Sequence, residues 1–296
     1  MSGPMTRSRP APERPSPPPA DDGRGPVPPR TRGRRRRPRW RLRTAASPIQ
    51  RAVLGVAGIA VLLALWQLTA TAWSGDSFLV PTPAATGRAL GELWRSGELL
   101  GDAEASLRRV GVGYAISMVL GVALGLAIGT RGAAEAFFEP QIGFLRYIPA
   151  TALTPLFLLW LGIGESPKVA LIVVGTLFFN TLMIADVVRS VPGSLLSAAA
   201  TLGASRLTVL RRVVLPHSWP GIVDVARVNL AAAWAMLVVA ELLAAQEGLA
   251  FRIVRAQRFR QVDRMFALLL VFGAIGIVSD AALRSLRNRT AGWARP

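Results

Sequence analysis

An all-α integral membrane fold with about six transmembrane helices is what this sequence predicts, and three observations predict it. Long apolar stretches, nearly free of charge, recur along the chain, and hydrophobic residues make up 51% of its 296 positions. Each stretch reaches the roughly 20 residues that a helix needs to cross a bilayer. Basic residues crowd the ends of the stretches, as they do at the inner faces of membrane spans. One interval, residues 190–221, is too polar and too broken by Pro and Gly to span a membrane itself.

Composition excludes several classes of chemistry. With no cysteine and His217 as the single histidine, no disulfide and no Cys/His metal site is expected, and His217 reads as an interfacial residue without chemical role. No cofactor is expected either. Lys168, the only lysine, lies in E-S-P-K-V-A rather than in G-x-x-x-x-G-K-[ST], so the chain carries no phosphate-binding loop and no ATPase site of its own. Paired carboxylates and Ser/His sets are missing, which argues against an enzyme.

Residues 1–48 hold twelve of the 22 prolines and little apolar material, so they read as a disordered Arg/Pro-rich cytoplasmic tail. Residues 49–296 form the membrane domain. The run Arg34-Arg35-Arg36-Arg37-Pro38-Arg39-Trp40-Arg41 abuts a span, which favours attraction to anionic lipid at roughly 1 kcal/mol per basic residue over nucleic-acid binding. Ala52 to Ser74 is the first span, entered from inside. Residues 75–108 are amphipathic with nearly balanced charge and suit an exported, interfacial segment. Val110 to Thr130 is the second span. Its Gly121-x-x-x-Gly125-x-x-x-Gly129 stripe suits close helix packing better than a moving hinge. Arg131, Glu135 and Glu139 are expected to form a short cytoplasmic turn.

The third span, about Pro140 to Gly162, contains Pro149 and Pro155. Such prolines free carbonyls that only protein or a water-filled path can satisfy, so they mark either a lined route or a plain kink. Arg146 and Tyr147 are expected in its first turns on the cytoplasmic side, where Arg146 can snorkel. The fourth span, roughly Lys168 to Val188, sets Thr176 and Asn180 on one face, a turn apart. The fifth, about Ile222 to Ala245, holds Asn229 and Trp234 within and Glu241 near its far end. A carboxylate there must face protein or water, and a hydrogen bond to a neighbouring helix is preferred over solute contact. Five arginines in residues 246–264 against Glu247 and Asp263 run counter to the inside-positive trend. An acidic partner protein, an anionic solute and an interfacial anchor all remain open for them. The sixth span is approximately Met265 to Leu283. Six spans with both termini cytoplasmic put residues 190–221 in the cytoplasm.

That interval reads as an elbow of two short helices. Pro192-Gly193 breaks the preceding span and Ser194 is the expected N-cap. Leu195, Leu196, Ala198, Ala199 and Leu202 share one helical face. Gly203 marks a tight turn or a close backbone approach. Ser205 caps a second helix bearing Leu207, Leu210, Val213 and Val214 on one side and Arg206, Arg211 and Arg212 elsewhere, which Pro216 and Pro220 are expected to end. By itself this is either a headgroup anchor or a surface that another protein pushes on.

The order Ala198-Ala199-Ala200-Thr201-Leu202-Gly203, followed by Leu215-Pro216, resembles the signature loop of ABC importer permeases. TLGASRLTVLRRVVLPHSWPGI is most similar to the branch that imports nitrate, sulfonates, taurine and bicarbonate. S-L-R-R-V-G-x-G-Y, IPATALTPLFLLWLGIG, and WAMLVVAEL with GLAFRI resemble the same branch, and the likeness covers about residues 75–285. It implies a type I ABC importer permease fold with a cytoplasmic coupling-helix elbow, in a bacterial cell membrane. It also implies a cytoplasmic ABC ATPase gripping Leu202, Gly203 and Ala204, with Arg206, Arg211 and Arg212 at its acidic rim. An extracytoplasmic solute-binding protein and a second permease copy complete the assembly so implied. The chain departs from the family at Ser197, where Glu is usual, and at Ala200, where Arg is common. Arg146, Asn180, Asn229, Trp234 and Glu241 are the candidates for the solute pathway, and family analogy favours a small anion such as a sulfonate or nitrate. The alternative function is an ion-gradient-driven transporter or channel, for which only Glu241, Asp186 and Lys168 supply ionisable groups.

Overall fold

The computed structural model describes residues 47–72 and 79–290. The expectations for the basic tail and for the extreme C-terminus therefore fall almost entirely outside the described residues. The chain forms two units, residues 1–54 and 55–296. In the first, helix α1 (Pro48–Ala72) begins with a reciprocal cap. The Gln50 amide N–H donates to Ser47 Oγ at 3.2 Å, and the Ser47 N–H donates to Gln50 Oε1 at 3.0 Å.

Every regular element among the described residues of the second unit is a helix. Helix α2 (Pro83–Arg95) is capped by Thr82, whose hydroxyl accepts from Ala85 N–H at 3.2 Å. It buries Thr86, Ala89 and Leu93, at the i, i+3, i+7 spacing of an amphipathic helix. Gly97, at φ +74°, turns the chain into α3 (Glu98–Thr130). The second span thus starts about three turns before its charge-free core, taking in residues expected in the interfacial segment.

Where a short turn was expected after α3, Glu135 and Glu139 instead belong to α4 (Gly132–Leu145). One turn apart on α4, both carboxylates pair with the Arg189 guanidinium. The third span is not one rod either. A 3-10 turn (Ala150–Leu153) and α5 (Thr154–Leu161) follow α4 at 81° to it. Pro149 holds extended backbone at the break and Pro155 sits in the first turn of α5, where its missing N–H costs nothing. Arg146 consequently lies at this break, a full α4 length from Arg131, rather than in the first turns of the span.

Among the described residues, helices α6 (Glu165–Arg189), α9 (Leu215–Ala244) and α11 (Val262–Thr290), with α1 and α3, are the five rods long and apolar enough to cross a membrane. The bent α4–α5 pair makes a sixth span if counted as one. Helices α3 and α6 pack most intimately. A Cβ on Gly125 would fall 2.7 Å from Ile184 Cγ2, and one on Gly129 would fall 2.6 Å from Val188. Only bare backbone permits that approach, so the glycine stripe is a packing surface. Helix α9 completes the core through Leu230, Ala233 and Leu237 against Val110, Tyr114 and Ile172. Helix α10 (Leu249–Arg258) lies between α9 and α11 in sequence and packs Leu249 and Ile253 on α2 and α11.

Candidate functional site

The elbow is built from two termini meeting at a glycine. Helix α7 (Gly193–Thr201) follows α6 directly. Its cap residue is Pro192, whose carbonyl accepts from Leu195 N–H at 3.0 Å, and Ser194 lies inside the first turn rather than capping it. At the other end, Gly203 N–H donates to the Ala200 carbonyl at 2.9 Å and Ala204 N–H to Ala199 at 3.0 Å. This pair of bonds is a Schellman turn, and it requires Gly203 to hold φ +72°. A Cβ there would meet nothing within 4 Å, so the glycine is needed for its backbone angle and not for a close approach.

Ser205 then caps α8 (Arg206–Val209), accepting from Thr208 N–H at 3.3 Å. The expectation that Pro216 and Pro220 end this helix is corrected. Helix α8 continues through a π-helical turn (Leu210–Val214) into α9, so that Arg206–Leu242 is a single 37-residue rod. The wider turn explains the tolerance: the Leu215 N–H bonds back five residues to Leu210, which leaves room for the Pro216 ring and needs no donor from it.

No residue of α7 is buried. Leu202, at the tip of the turn, is 85% exposed, and Leu195, Leu196 and Leu207 are also exposed. Ser197, Ala198, Arg206, Arg211, Arg212 and Pro216 are exposed around them, while Ala199, Ala204 and Leu215 are half-buried. No described carboxylate pairs with those three arginines. The elbow therefore offers an apolar tip beside unpaired cations, held by caps at both helix ends.

Within the bundle, Asn180 and Asn229 come together. Ser117 Oγ accepts from Asn180 Nδ2 at 2.9 Å and lies 2.8 Å from Thr176 Oγ1. Asn180 Oδ1 accepts from Asn229 Nδ2 at 2.8 Å. All four side chains are buried, and they tie α3, α6 and α9 at mid-length. The Tyr114 hydroxyl adds a bond to the Ala226 carbonyl at 2.7 Å. The remaining pathway candidates lie elsewhere. Arg146 is exposed and rests 5.0 Å from the centroid of the Tyr147 ring, and Trp234 packs edge-on against Phe272.

Glu241 belongs to a third cluster, at the end of α9 opposite the elbow. Its carboxylate accepts from Ser106 Oγ at 2.7 Å, Arg109 Nη1 at 2.9 Å and Ala250 N–H at 2.9 Å. The interhelical hydrogen bond expected of it is thus present. Arg109 is 1% exposed and also forks onto Glu165, with Nε–Oε2 at 2.6 Å and Nη2–Oε1 at 2.9 Å. Lys168 pairs with Glu165 at 2.7 Å. Sequence reasoning missed Arg109, Asp102 and Ser106. Their signal was spacing: Asp102, Ser106, Arg109, Gly113, Ser117, Gly121 and Gly125 fall at steps of three or four, so the polar residues prolong the glycine stripe. The cluster joins α3, α6, α9 and α10, and removing one member of the buried pair would strand the other's charge.

Comparison with known proteins adds an independent line. Residues 117–292 match the family described as binding-protein-dependent transport system inner membrane component. A chain of Bacillus subtilis (strain 168) named as an aliphatic sulfonates transport permease, SsuC, is 32% identical over 234 residues, which is 79% of this chain and 85% of that one. The taurine transport system permease protein TauC of Escherichia coli (strain K12) is 31% identical over 252 residues, 83% of this chain and 92% of its own. Among solved structures, an inward-facing MetNI methionine ABC transporter superposes with a TM-score of 0.56 at 18% identity, covering 66% of this chain and 95% of that one.

Proposed function

Because this chain belongs to the binding-protein-dependent transport system inner membrane component family, and is a permease subunit with the type I ABC importer fold rather than an ATPase, we propose that the α7–α8 elbow is the handle by which a separate ATPase drives it. The exposed Leu202–Gly203 turn carries this reading. It is apolar at the tip and ringed by Ser197, Ala198, Arg206, Arg211 and Arg212. An apolar anchor inside a charged rim is what a protein cleft recognises.

Force applied there reaches the bundle along one rod. Helix α8, the π turn and α9 are continuous, so displacement of the elbow carries Asn229 away from Asn180. Parting these amides frees the Asn229 Nδ2 donor at mid-bundle, which suits an oxygen of a small oxyanion. The solute in this reading is a small anion such as a sulfonate or nitrate. Both termini are cytoplasmic, the permease works as a pair of identical copies, and an extracytoplasmic binding protein delivers solute to the α10 end.

The test is uptake in proteoliposomes holding this permease and its ATPase. Uptake should require ATP and a solute-binding protein, and should survive an uncoupler at constant ATP. Uptake by the permease alone, or its abolition by the uncoupler, would reject the reading.

A further inference from the structure

The buried ionic clasp around Arg109 holds more positive charge than its buried members cancel. Arg109 is 1% exposed, Lys168 5% and Glu241 1%, so two cations stand against one carboxylate. Asp102, also buried, is matched by Arg252. Charge held out of water is unfavourable unless a counter-ion meets it. Glu165 supplies that counter-ion, and it is a different kind of member, with 42% of its side chain exposed.

Both unmatched cations aim at this one carboxylate. Arg109 donates from Nε to Oε2 at 2.6 Å and from Nη2 to Oε1 at 2.9 Å, and Lys168 Nζ donates to Oε1 at 2.7 Å. A planar fork with a point charge beside it is how proteins hold an oxyanion. Here the chain's own residue fills the place, on a link that can shift. Glu165 opens α6 and follows Gly162-Ile163-Gly164. A Cβ on either glycine would meet nothing within 4 Å, and Ile163 is 89% exposed. Moving this link therefore disturbs no packing, and the released carboxylate would return to water.

Beside the fork runs an apolar groove. Glu165 stands at the head of an open cleft of about 440 Å³, walled by Ile116 of α3 and by Val169, Ala170, Val173 and Val174 of α6. Small-molecule sites span roughly 300–1,000 Å³. Val169 and Val173 follow Glu165 at steps of four, so the apolar track runs along α6 directly from the carboxylate.

We propose that this is an entry site for an organic monoanion with an apolar chain, of the alkanesulfonate class. Its charged head displaces the Glu165 carboxylate from Arg109 and Lys168, while its chain lies along Val169 and Val173. The proposal deepens the importer reading above, which leaves sulfonate and nitrate open. The groove lets the chain of a sulfonate leave water, and nitrate has no chain to bury. Glu165 is then a resident competitor that neutralises the clasp between solutes.

The experiment titrates the permease–ATPase complex in lipid nanodiscs, without nucleotide or binding protein, and reads binding by calorimetry. The probes are methanesulfonate, butanesulfonate and nitrate. Affinity should rise by about fourfold for each methylene that enters the groove, with nitrate weakest. E165Q removes the competing charge, leaves Arg109 its pair with Glu241, and should tighten butanesulfonate by about tenfold or more. E165Q/K168Q balances the buried charge and should lose that gain. Melting temperatures in the same discs check that both variants are folded, and the chain-length series on the unaltered complex decides the matter even if E165Q melts low. Equal butanesulfonate affinity in the unaltered chain and E165Q, or equal affinity for methanesulfonate and butanesulfonate, would overturn the proposal. So would binding present in phosphatidylcholine discs and lost when phosphatidylglycerol is added, since an anionic lipid would then be the occupant. Binding is read apart from ATP, so failure of the uptake test with this binding intact rejects the importer reading and not the site.

Discussion

At Gly203 one backbone angle decides whether two helices can meet. The left-handed conformation there costs a residue with a Cβ about 1–2 kcal/mol, least for Asn and most for β-branched types. Replacing Gly203 by Val should therefore abolish uptake and ATPase co-purification while membrane insertion persists, and G203N should retain most of both. Paired uptake and pull-down assays check this. Arg109 is the residue with most to lose by substitution. R109M leaves Glu241 buried without its charge partner and should lower stability by about 3–5 kcal/mol. E241Q keeps a hydrogen-bonding group in the same place, so its loss should be smaller. Melting temperatures of the purified variants in detergent report the order.

Among the helices, α3 and α6 form the most closely packed pair. G125L would force its side chain onto Ile184, and overpacking of this kind costs about 1–3 kcal/mol. G111L, whose added atoms meet nothing within 4 Å, is the matched control and should be neutral. Detergent melting again separates them. This stripe was legible in the sequence because a four-residue repeat of glycine has a direct packing meaning. Gly203 and the Ser205 cap of the elbow were legible as well, since they are local chemistry, whereas the cap expected at Ser194 falls to Pro192. Three features were not. Glu135 and Glu139 looked like turn residues because their partner, Arg189, lies fifty positions away. Pro216 looked like a stop because nothing local announces a π turn that makes room for it. The 81° break of the third span was visible only as two prolines, and these fix where a helix yields without fixing by how much. The same limit hid the clasp: Arg109, Glu165 and Glu241 are far apart in sequence and meet only through packing.

Across the whole molecule, the elbow and the Glu241 clasp sit at opposite ends of one helix. Along α9 (Leu215–Ala244) the rise from Leu215 to Glu241 separates the elbow from the clasp by about 39 Å at 1.5 Å per residue. That exceeds the hydrocarbon thickness of a bilayer, so an α9 that crosses the membrane in the proposed reading sets the two ends on opposite sides. The mid-bundle amides lie between them, where a displaced rod would act. With no native cysteine, the chain accepts a single introduced thiol as a clean reporter. L202C labelled with a membrane-impermeant maleimide tests the central claim most directly. The account predicts labelling only from the cytoplasmic side, in inverted vesicles and not in intact cells, and protection when the ATPase subunit is bound. Labelling in intact cells, or equal labelling with and without the ATPase, would contradict it.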